Sequence, residues 1–333
     1  MAGVADFFLN RRATGACVRT LCLTGFREYE ALRLADLPAA PIVLYGHNGA
    51  GKTNLAEAVS WLAPGRGLRR AALREVGAEW SVAAELHDGG RIATGYAPAK
   101  GERRVIVTGG GRSSTQDELA EMLTVWWLTP AFDRLWTGEP AGRRRFFGRL
   151  LAGFARGYAP LWRRYETARA QLAKVGDPSW QAALTRQMAE AEASLRLMRA
   201  GTLAALNSQP PIADFPAAII EADEAAPLHL ADFAVRDATT GRPAAKSSTG
   251  EQKALVLSVF LNAASLLAQV RGRPPVLILD DVASFLDEER RKALFSRLSV
   301  LKSQCWLTGT ERPLFDGLGA CFYRVEGHKV RKD

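Results

Sequence analysis

The chain has 333 residues, 47% hydrophobic and 24% charged, which excludes an intrinsically disordered protein and a small disulfide-stabilised one. No apolar run approaches the roughly 20 residues of a membrane-spanning helix, no secretory signal is evident, and the four cysteines form no CxxC pair. We therefore expect a soluble, cytoplasmic protein without a zinc site, and the net charge of +9 favours a polyanionic partner, nucleic acid before membrane.

The first motif with recognisable chemistry follows an apolar, strand-like run at residues 41–45. Residues 46–53 have the G-x-x-x-x-G-K-T pattern of a phosphate-binding loop (P-loop), and an apolar helical pattern follows. Lys52 is expected to reach the β and γ phosphates of ATP, and the Thr53 hydroxyl to ligate Mg²⁺. A plain glycine-rich turn is the alternative, but it lacks the strand and helix context seen here. The predicted nucleotide-binding residues are Gly46, His47, Asn48, Gly49, Ala50, Gly51, Lys52 and Thr53.

Strand patterns and then a helical segment follow the P-loop. Residues 82–86 and 104–108 are strand-like and predict an antiparallel face of the same domain. From about residue 139 to 208 the pattern is helical, with a turn at 176–178 and one long helix over 179–206. We expect two or three antiparallel helices inserted into the P-loop domain.

A polar segment at residues 246–253 precedes a long apolar helical pattern. Ser248 and Gly250 lie where this helix starts, and unpaired N–H groups at a helix N-terminus can bind an anion. An ordinary helix N-cap is the alternative. The segment becomes informative because a strand ending in two carboxylates comes next.

That strand is the continuous apolar run at residues 275–279, which predicts a strand buried on both faces of a parallel sheet. It ends in Asp280 and Asp281, at the carboxyl end where open α/β sheets bind ligands. Asp280 fits a Walker B residue that holds Mg²⁺, and Asp281 is placed to orient or deprotonate the attacking water. A pair of aspartates that cap the following helix is the alternative.

Together these three motifs resemble those of the ABC-type ATPases. The resemblance implies that Ser248 and Gly250 contact the γ-phosphate of ATP held by a second subunit, in an ATP-dependent homodimer. Residues 283–287 look like the D-loop, which implies that Asp287 lies at the same seam. The P-loop and signature are about 200 residues apart, which leaves room for an insertion as in the SMC-like branch.

Finer features resemble the RecF family of bacterial recombination mediators. Residues 306–310 are similar to the strand in which that family carries a threonine, here Thr308, in place of the transporters' switch histidine. The resemblance covers nearly the whole chain. The other segments that carry it are 23–29 (Leu-Thr-Gly-Phe-Arg-Glu-Tyr), 64–70, 128–146, 248–253 and 279–282.

This resemblance implies an α/β fold: an ABC-type P-loop ATPase head with a mixed or parallel sheet, flanking helices and a short inserted antiparallel helical arm. The expected division is head over 1–138, arm over 139–212, and head again over 213–333. The implied activity is a weak, DNA-stimulated ATPase. ATP-driven dimerisation would clamp duplex DNA near single-stranded gaps and, with RecO and RecR partners, assist RecA loading, and hydrolysis would reset the clamp.

Two positions depart from the family pattern. Leu230 replaces a basic residue, and Gly148 stands where an aspartate is usual. These departures leave open a divergent SMC-like ATPase scaffold in defence or regulation. A nucleotide-binding subunit of a membrane transporter is a further alternative, against which the arm, Thr308 and the +9 charge argue.

Basic residues are concentrated where the arm begins. Residues 134–171 contain nine arginines and two glutamates. A face that contacts DNA phosphates without reading bases is one interpretation, and a solvated helix face is the other. The candidate DNA-binding residues are Arg143, Arg144, Arg163 and Arg164.

Overall fold

The computed structural model describes residues 17–109, 111–155 and 157–333, which form two compact units. A helical unit comprises Asp133–Leu266, and a sheet unit runs up to Phe132 and resumes at Leu267–Asp333. The chain therefore leaves the sheet unit once and returns to it.

Fourteen strands are present in the described residues, twelve of them in the sheet unit. The sheet-unit strands are β1 (Val18–Phe26), β2 (Tyr29–Leu34), β3 (Ile42–Tyr45), β4 (Trp80–Leu86), β5 (Arg91–Tyr96), β6 (Val105–Thr108), β7 (Arg112–Ser113), β8 (Val125–Leu128), β11 (Val276–Leu279), β12 (Cys305–Gly309), β13 (Cys321–Glu326) and β14 (Lys329–Lys332), and those of the helical unit are β9 (Ala218–Ala222) and β10 (Phe233–Asp237).

The sheet unit contains two six-stranded sheets. One is antiparallel, in the order β2-β1-β4-β5-β6-β7, and its strand β4 alternates buried and half-buried residues because only one face packs on the core. The other has the order β14-β13-β3-β12-β11-β8 and is parallel except for the β13–β14 hairpin. Every residue of β8, β11 and β12 is buried, as predicted for residues 275–279.

Register in the parallel sheet brings three strand ends together. Leu279 of β11 pairs with Leu307 of β12, and the next residue, Thr308, pairs with Leu44 of β3. Because parallel strands end at one edge of the sheet, the segments that follow β3, β11 and β12 share that edge. The P-loop and the two carboxylates are therefore neighbours.

Helices occur in both units and build most of the helical unit. The first helix follows β3, and its buried residues join a core that includes side chains from both six-stranded sheets. The helices are α1 (Lys52–Ser60), α2 (Leu73–Val76), α3 (Gln116–Met122), α4 (Pro140–Phe154), α5 (Tyr158–Leu172), α6 (Pro178–Asn207), α7 (Thr249–Arg271) and α8 (Glu288–Leu301), and short 3₁₀ turns lie at Pro98–Lys100, Pro130–Arg134, Ala244–Lys246, Ala283–Phe285 and Arg312–Phe315.

The inserted segment contains three helices, α4, α5 and α6. The long helix predicted over 179–206 is observed as α6, capped by the Asp177 side chain after the predicted turn. Residues 213–266 belong to the same compact unit as these helices. The division into head and arm at residues 138 and 212 stays a prediction.

One expectation about apolar runs is wrong. Helix α7 is long and apolar enough to cross a membrane by length and composition, with a mean hydropathy of 1.6 over its most apolar window. Within the fold, 78% of that window is buried, which is typical of a core helix in a soluble protein. Small and polar residues interrupt this helix, so a search for one continuous apolar run does not detect it, whereas the mean hydropathy of a window does.

Candidate nucleotide-binding site

The loop between β3 and α1 has a backbone that only glycine adopts easily. The φ angles are 150° at Gly46, 81° at Gly49 and 105° at Gly51, all in the range that L side chains avoid. Close packing adds a second constraint, since a Cβ atom at Gly46 would lie 2.2 Å from the carbonyl oxygen of Val325. The predicted P-loop is thus a tight, preformed turn before the helix.

Lys52 folds back over this loop. Its Nζ donates to the carbonyl oxygens of Gly46, at 2.6 Å, and His47, at 2.8 Å. Burial lowers the pKa of the Lys52 ammonium, while the carboxylates of Asp280 and Asp281 act in the opposite direction. A cation is therefore held within the loop, close to both predicted carboxylates.

Asp280 is the centre of a buried hydrogen-bond network. Its Oδ1 accepts from the hydroxyls of Thr53, at 3.0 Å, and Thr308, at 2.8 Å. The Thr308 hydroxyl in turn accepts from the backbone N–H of Asp281 at 2.8 Å. Burial raises the pKa of Asp280, and the two threonine hydrogen bonds lower it.

Asp281 is held differently. Its φ of 57° places a non-glycine residue in the left-handed region, a conformation retained where the surrounding structure imposes it. Ser284 donates its hydroxyl to Oδ1 of Asp281 at 2.7 Å and to its carbonyl oxygen at 2.8 Å. The aspartate is thus fixed in position beside the network rather than capping a helix.

These residues fit a nucleotide with its magnesium ion. The α1 N-terminus has no side-chain cap, so its first N–H groups remain available to phosphate oxygens. Thr53 and Asp280 present neighbouring hydroxyl and carboxylate oxygens, the hard ligands that Mg²⁺ prefers. Among the described residues, no group of three or more His, Cys, Asp or Glu side chains could hold a metal by itself.

The signature segment lies in the helical unit. Ser248 and Glu251 form a reciprocal cap at the start of α7: the Ser248 N–H donates to the Glu251 carboxylate at 2.7 Å, and the Glu251 N–H to the Ser248 hydroxyl at 3.4 Å. Gln252 anchors the segment from inside by donating to the carbonyl oxygen of Ser247 at 2.8 Å. Ser248, Thr249 and Gly250 are all exposed.

Asp287 caps a helix. Its side chain accepts from the backbone N–H of Arg290 at 2.8 Å, at the N-terminus of α8, and remains more than half exposed. The helix-capping role considered for the Asp280–Asp281 pair therefore falls to Asp287, six residues beyond that pair.

A buried ion-pair cluster on α1 was missed by the sequence analysis. Glu57 is fully buried and accepts a two-point hydrogen bond from Arg27, at 2.9 and 2.7 Å, and one from Arg69 at 2.7 Å. An acidic residue within the apolar pattern of α1 was the available signal. Through Arg27, the first residue after β1, this ion pair ties the β1–β2 turn to the P-loop helix.

The four candidate DNA-binding arginines have different environments in the structure. Arg143 donates to Asp232 through Nε and Nη2, the shortest contact being 2.7 Å, and its Nη1 donates to three carbonyl oxygens. That placement gives Arg143 a structural role. Arg164 is exposed and 3.6 Å from Glu190, and Arg144 donates to the Leu230 carbonyl at 3.3 Å. With Arg163, these two stay predictions.

Known proteins resemble this chain along most of its length. No family model matches it. The DNA replication and repair protein RecF of Rhizobium etli is 38% identical, over 93% of this chain and 97% of that protein. RecF of Caulobacter vibrioides is 36% identical, over 91% and 94%. The chain belongs to the RecF family.

Solved structures support the same fold. A recombination mediator protein RecF, described with ATPrS in the RecFOR pathway, matches with a TM-score of 0.81 at 19% identity, over 97% of this chain and 100% of that one. The Smc head domain of Pyrococcus furiosus matches with a TM-score of 0.59 at 13% identity, over 95% of each chain. The predicted α/β ATPase-head fold of the RecF and SMC type is confirmed.

Both departures from the RecF-family pattern lie in the helical unit. Gly148 is inside α4, and a Cβ atom built there meets nothing within 4 Å. Leu230 is 54% exposed. Neither residue is part of the network around Asp280.

Proposed function

We propose that this chain is an ATP-dependent DNA-binding protein of DNA replication and recombinational repair, whose weak, DNA-stimulated ATP hydrolysis serves as a switch. The observation that carries the proposal is the network of Thr53, Asp280 and Thr308 beside the P-loop lysine. Support also comes from curated relatives, named for replication and repair, that match nine-tenths of the chain.

Each site residue has a role in this proposal. Lys52 and the N–H groups of residues 46–53 hold the phosphates, while Thr53 and Asp280 hold the magnesium ion. ATP with Mg²⁺, when bound, supplies the phosphoryl group that is transferred to water. Asp281 orients that water and accepts its proton, and Ser284 keeps the carboxylate in place. Thr308 acts through Asp280 by stabilising its ionised form.

ATP binding brings two copies of the chain together in this proposal. Ser248 and Gly250 of one copy complete the phosphate site of the other, and Asp287 lies at the same seam. The surface position of the signature residues supports this, since the helix N-terminus they flank can accept an anion from outside the chain. The dimer clamps duplex DNA near single-stranded gaps. It acts in the cytoplasm with RecR- and RecO-type partners, and assists RecA indirectly.

A mixing experiment tests the shared site. Lys52→Ala removes the phosphate-binding cation, and Ser248→Ala removes the signature hydroxyl, so we expect each variant alone to lose ATP hydrolysis. An equal mixture should recover about a quarter of wild-type turnover, because half of the symmetric dimers then carry one intact composite site. Thermal unfolding controls for the lost cap at Ser248. No recovery from two folded variants would contradict a site completed by a second copy.

DNA binding is tested by fluorescence anisotropy on a gapped duplex with ATP, ADP or no nucleotide, over a salt series. We expect tight binding only with ATP, weakening steeply as salt increases. Asp281→Asn should retain ATP-dependent binding but leave DNA slowly during an ATP chase. Binding that ignores the nucleotide would refute the clamp, and a normal release rate for Asp281→Asn would refute the reset by hydrolysis.

A further inference from the structure

Two neighbouring loops of the sheet unit are rich in arginine. Residues 64–74 contain four arginines and no acidic residue, and Arg103 and Arg104 lie together in a second loop. The loops touch, because Nη1 of Arg104 donates to the carbonyl oxygen of Gly65 at 2.7 Å. Five of these six arginines are exposed, and three of the five, Arg66, Arg70 and Arg103, are named here the loop arginines.

The other arginines of these loops serve the fold. Arg69 pairs with buried Glu57, and Arg74 pairs with Glu102. Arg104 is directed inward, where it donates to the carbonyl oxygens that follow α1 and stacks 5.2 Å from the Trp61 ring, and burial lowers its pKa to about 10. In the described part of the chain, by contrast, no carboxylate lies within ion-pairing distance of any loop arginine.

The loop at residues 64–70 is held rigidly. The Gly65 N–H donates to the Gln116 side chain at 3.0 Å, and the Leu68 N–H to the Ser60 hydroxyl at 2.8 Å. Gly67 packs so tightly that a Cβ atom there would lie 2.7 Å from the Trp61 indole nitrogen. A fixed loop loses little conformational entropy when its side chains bind a partner.

Backbone strain occurs within the same loop. Arg70 has a φ of 57°, in the left-handed region that non-glycine residues rarely occupy. Such conformations persist where surrounding contacts impose them, and here the Arg70 N–H donates to the Gly67 carbonyl at 3.3 Å. The guanidinium of Arg70 is therefore presented to solvent from a backbone that its surroundings hold in place.

We propose that the loop arginines form a contact surface for the sugar–phosphate backbone of duplex DNA, in addition to the candidate arginines of the helical unit. Guanidinium groups match phosphate oxygens with paired hydrogen bonds. Contacts of this kind fix position and add affinity without reading sequence. The inference rests on the DNA binding proposed above and assigns part of it to the sheet unit.

The test compares two triple variants with the same loss of charge. Arg66→Gln, Arg70→Asn and Arg103→Gln together remove the loop arginines, with asparagine at position 70 because it tolerates the left-handed backbone. The control combines substitution of three exposed arginines elsewhere in the sheet unit. Those control substitutions are Arg33→Gln, Arg91→Gln and Arg331→Gln.

Affinity for a blunt duplex is measured with ATP over a salt series. Each lost phosphate contact should reduce the slope of log affinity against log salt by about 0.9, so the loop variant should lose up to about 2.7 and the control much less. Binding of a fluorescent ATP analogue should remain at the wild-type level in both variants. That readout shows that the nucleotide site is intact.

Equal slopes for the two triple variants would overturn the loop surface while leaving the proposed function in place. A loss of binding to phosphatidylserine vesicles, with the DNA slope unchanged, would also overturn it in favour of a lipid surface. A wild-type protein that binds no DNA at low salt with any nucleotide would refute the proposed function as well.

Discussion

Thr308→Val tests the network around Asp280 most directly. Valine keeps the shape and the strand preference of threonine but removes a hydroxyl that donates to Asp280 and accepts from the Asp281 N–H. Thr308 is only 2% exposed, so water does not replace the lost group. An unpaired buried N–H costs about 1–3 kcal/mol, and a lost hydrogen bond to an ionised carboxylate about 1.5–3 kcal/mol.

These two costs respond differently to pH. Burial already raises the pKa of Asp280 above its ordinary value of 3.8, and loss of the Thr308 hydroxyl raises it further. A carboxyl group whose pKa is raised on folding destabilises the protein increasingly as pH rises from its unfolded pKa through its folded pKa. The cost of Thr308→Val should therefore be about 2.5–6 kcal/mol near pH 8, and only about 1–3 kcal/mol where Asp280 is protonated.

The assay is urea unfolding followed by tryptophan fluorescence, without nucleotide and with EDTA, at several pH values. Trp306 is buried two residues before Thr308 on β12 and reports on the sheet unit. Thr308→Ser is the matched control, because it keeps the hydroxyl and loses one methyl group, at a cost of about 1 kcal/mol. The reasoning is refuted if the valine penalty is the same at every pH, or if serine costs as much as valine.

The remaining predictions concern glycine-to-alanine substitutions at three positions and one arginine substitution. Gly46→Ala should lower the melting temperature far more than Gly49→Ala, because only the Cβ at position 46 would meet a backbone oxygen. Equal decreases in melting temperature for the two variants would contradict this. Gly148→Ala should raise the free energy of unfolding by about 1 kcal/mol in urea, because it fills open space inside a helix, and a destabilised variant would refute that reasoning. Arg143→Gln should lower the free energy of unfolding by about 2–4 kcal/mol, because it breaks a mostly buried ion pair, and should leave the salt dependence of DNA binding unchanged. A smaller slope of log affinity against log salt would instead show that Arg143 contacts DNA.

Features contained in one short stretch of sequence could be predicted. The P-loop is a strand, a glycine-rich turn and a helix in direct succession, and the carboxylates follow a wholly apolar strand. Parallel strands end at a common edge, so the sequence placed Thr53 and Asp280 at the same edge of the sheet, where they meet. Local pattern and topology together were sufficient for the centre of the site.

Features that depend on a distant partner could not be predicted. Arg143 lies within a dense run of arginines, and only its partner Asp232, 89 residues later, distinguishes it from an exposed phosphate ligand. The partner of Arg27 is likewise distant in sequence, since Glu57 lies 30 residues later on α1. Sequence patterns report where a charge occurs, and the fold decides which charges are neutralised within the chain.

The P-loop glycines show how a binding motif also serves the fold. A Cβ atom at Gly46 would meet the Val325 carbonyl, and one at Gly51 would lie 2.7 Å from the Tyr29 hydroxyl and 2.9 Å from the His328 ring. Those two glycines are required by packing even without a nucleotide. Gly49 differs, because its Cβ would meet nothing within 4 Å although its φ is positive. A glycine at position 49 is therefore best explained by the nucleotide, because the absence of a side chain there lets a phosphate approach the backbone closely.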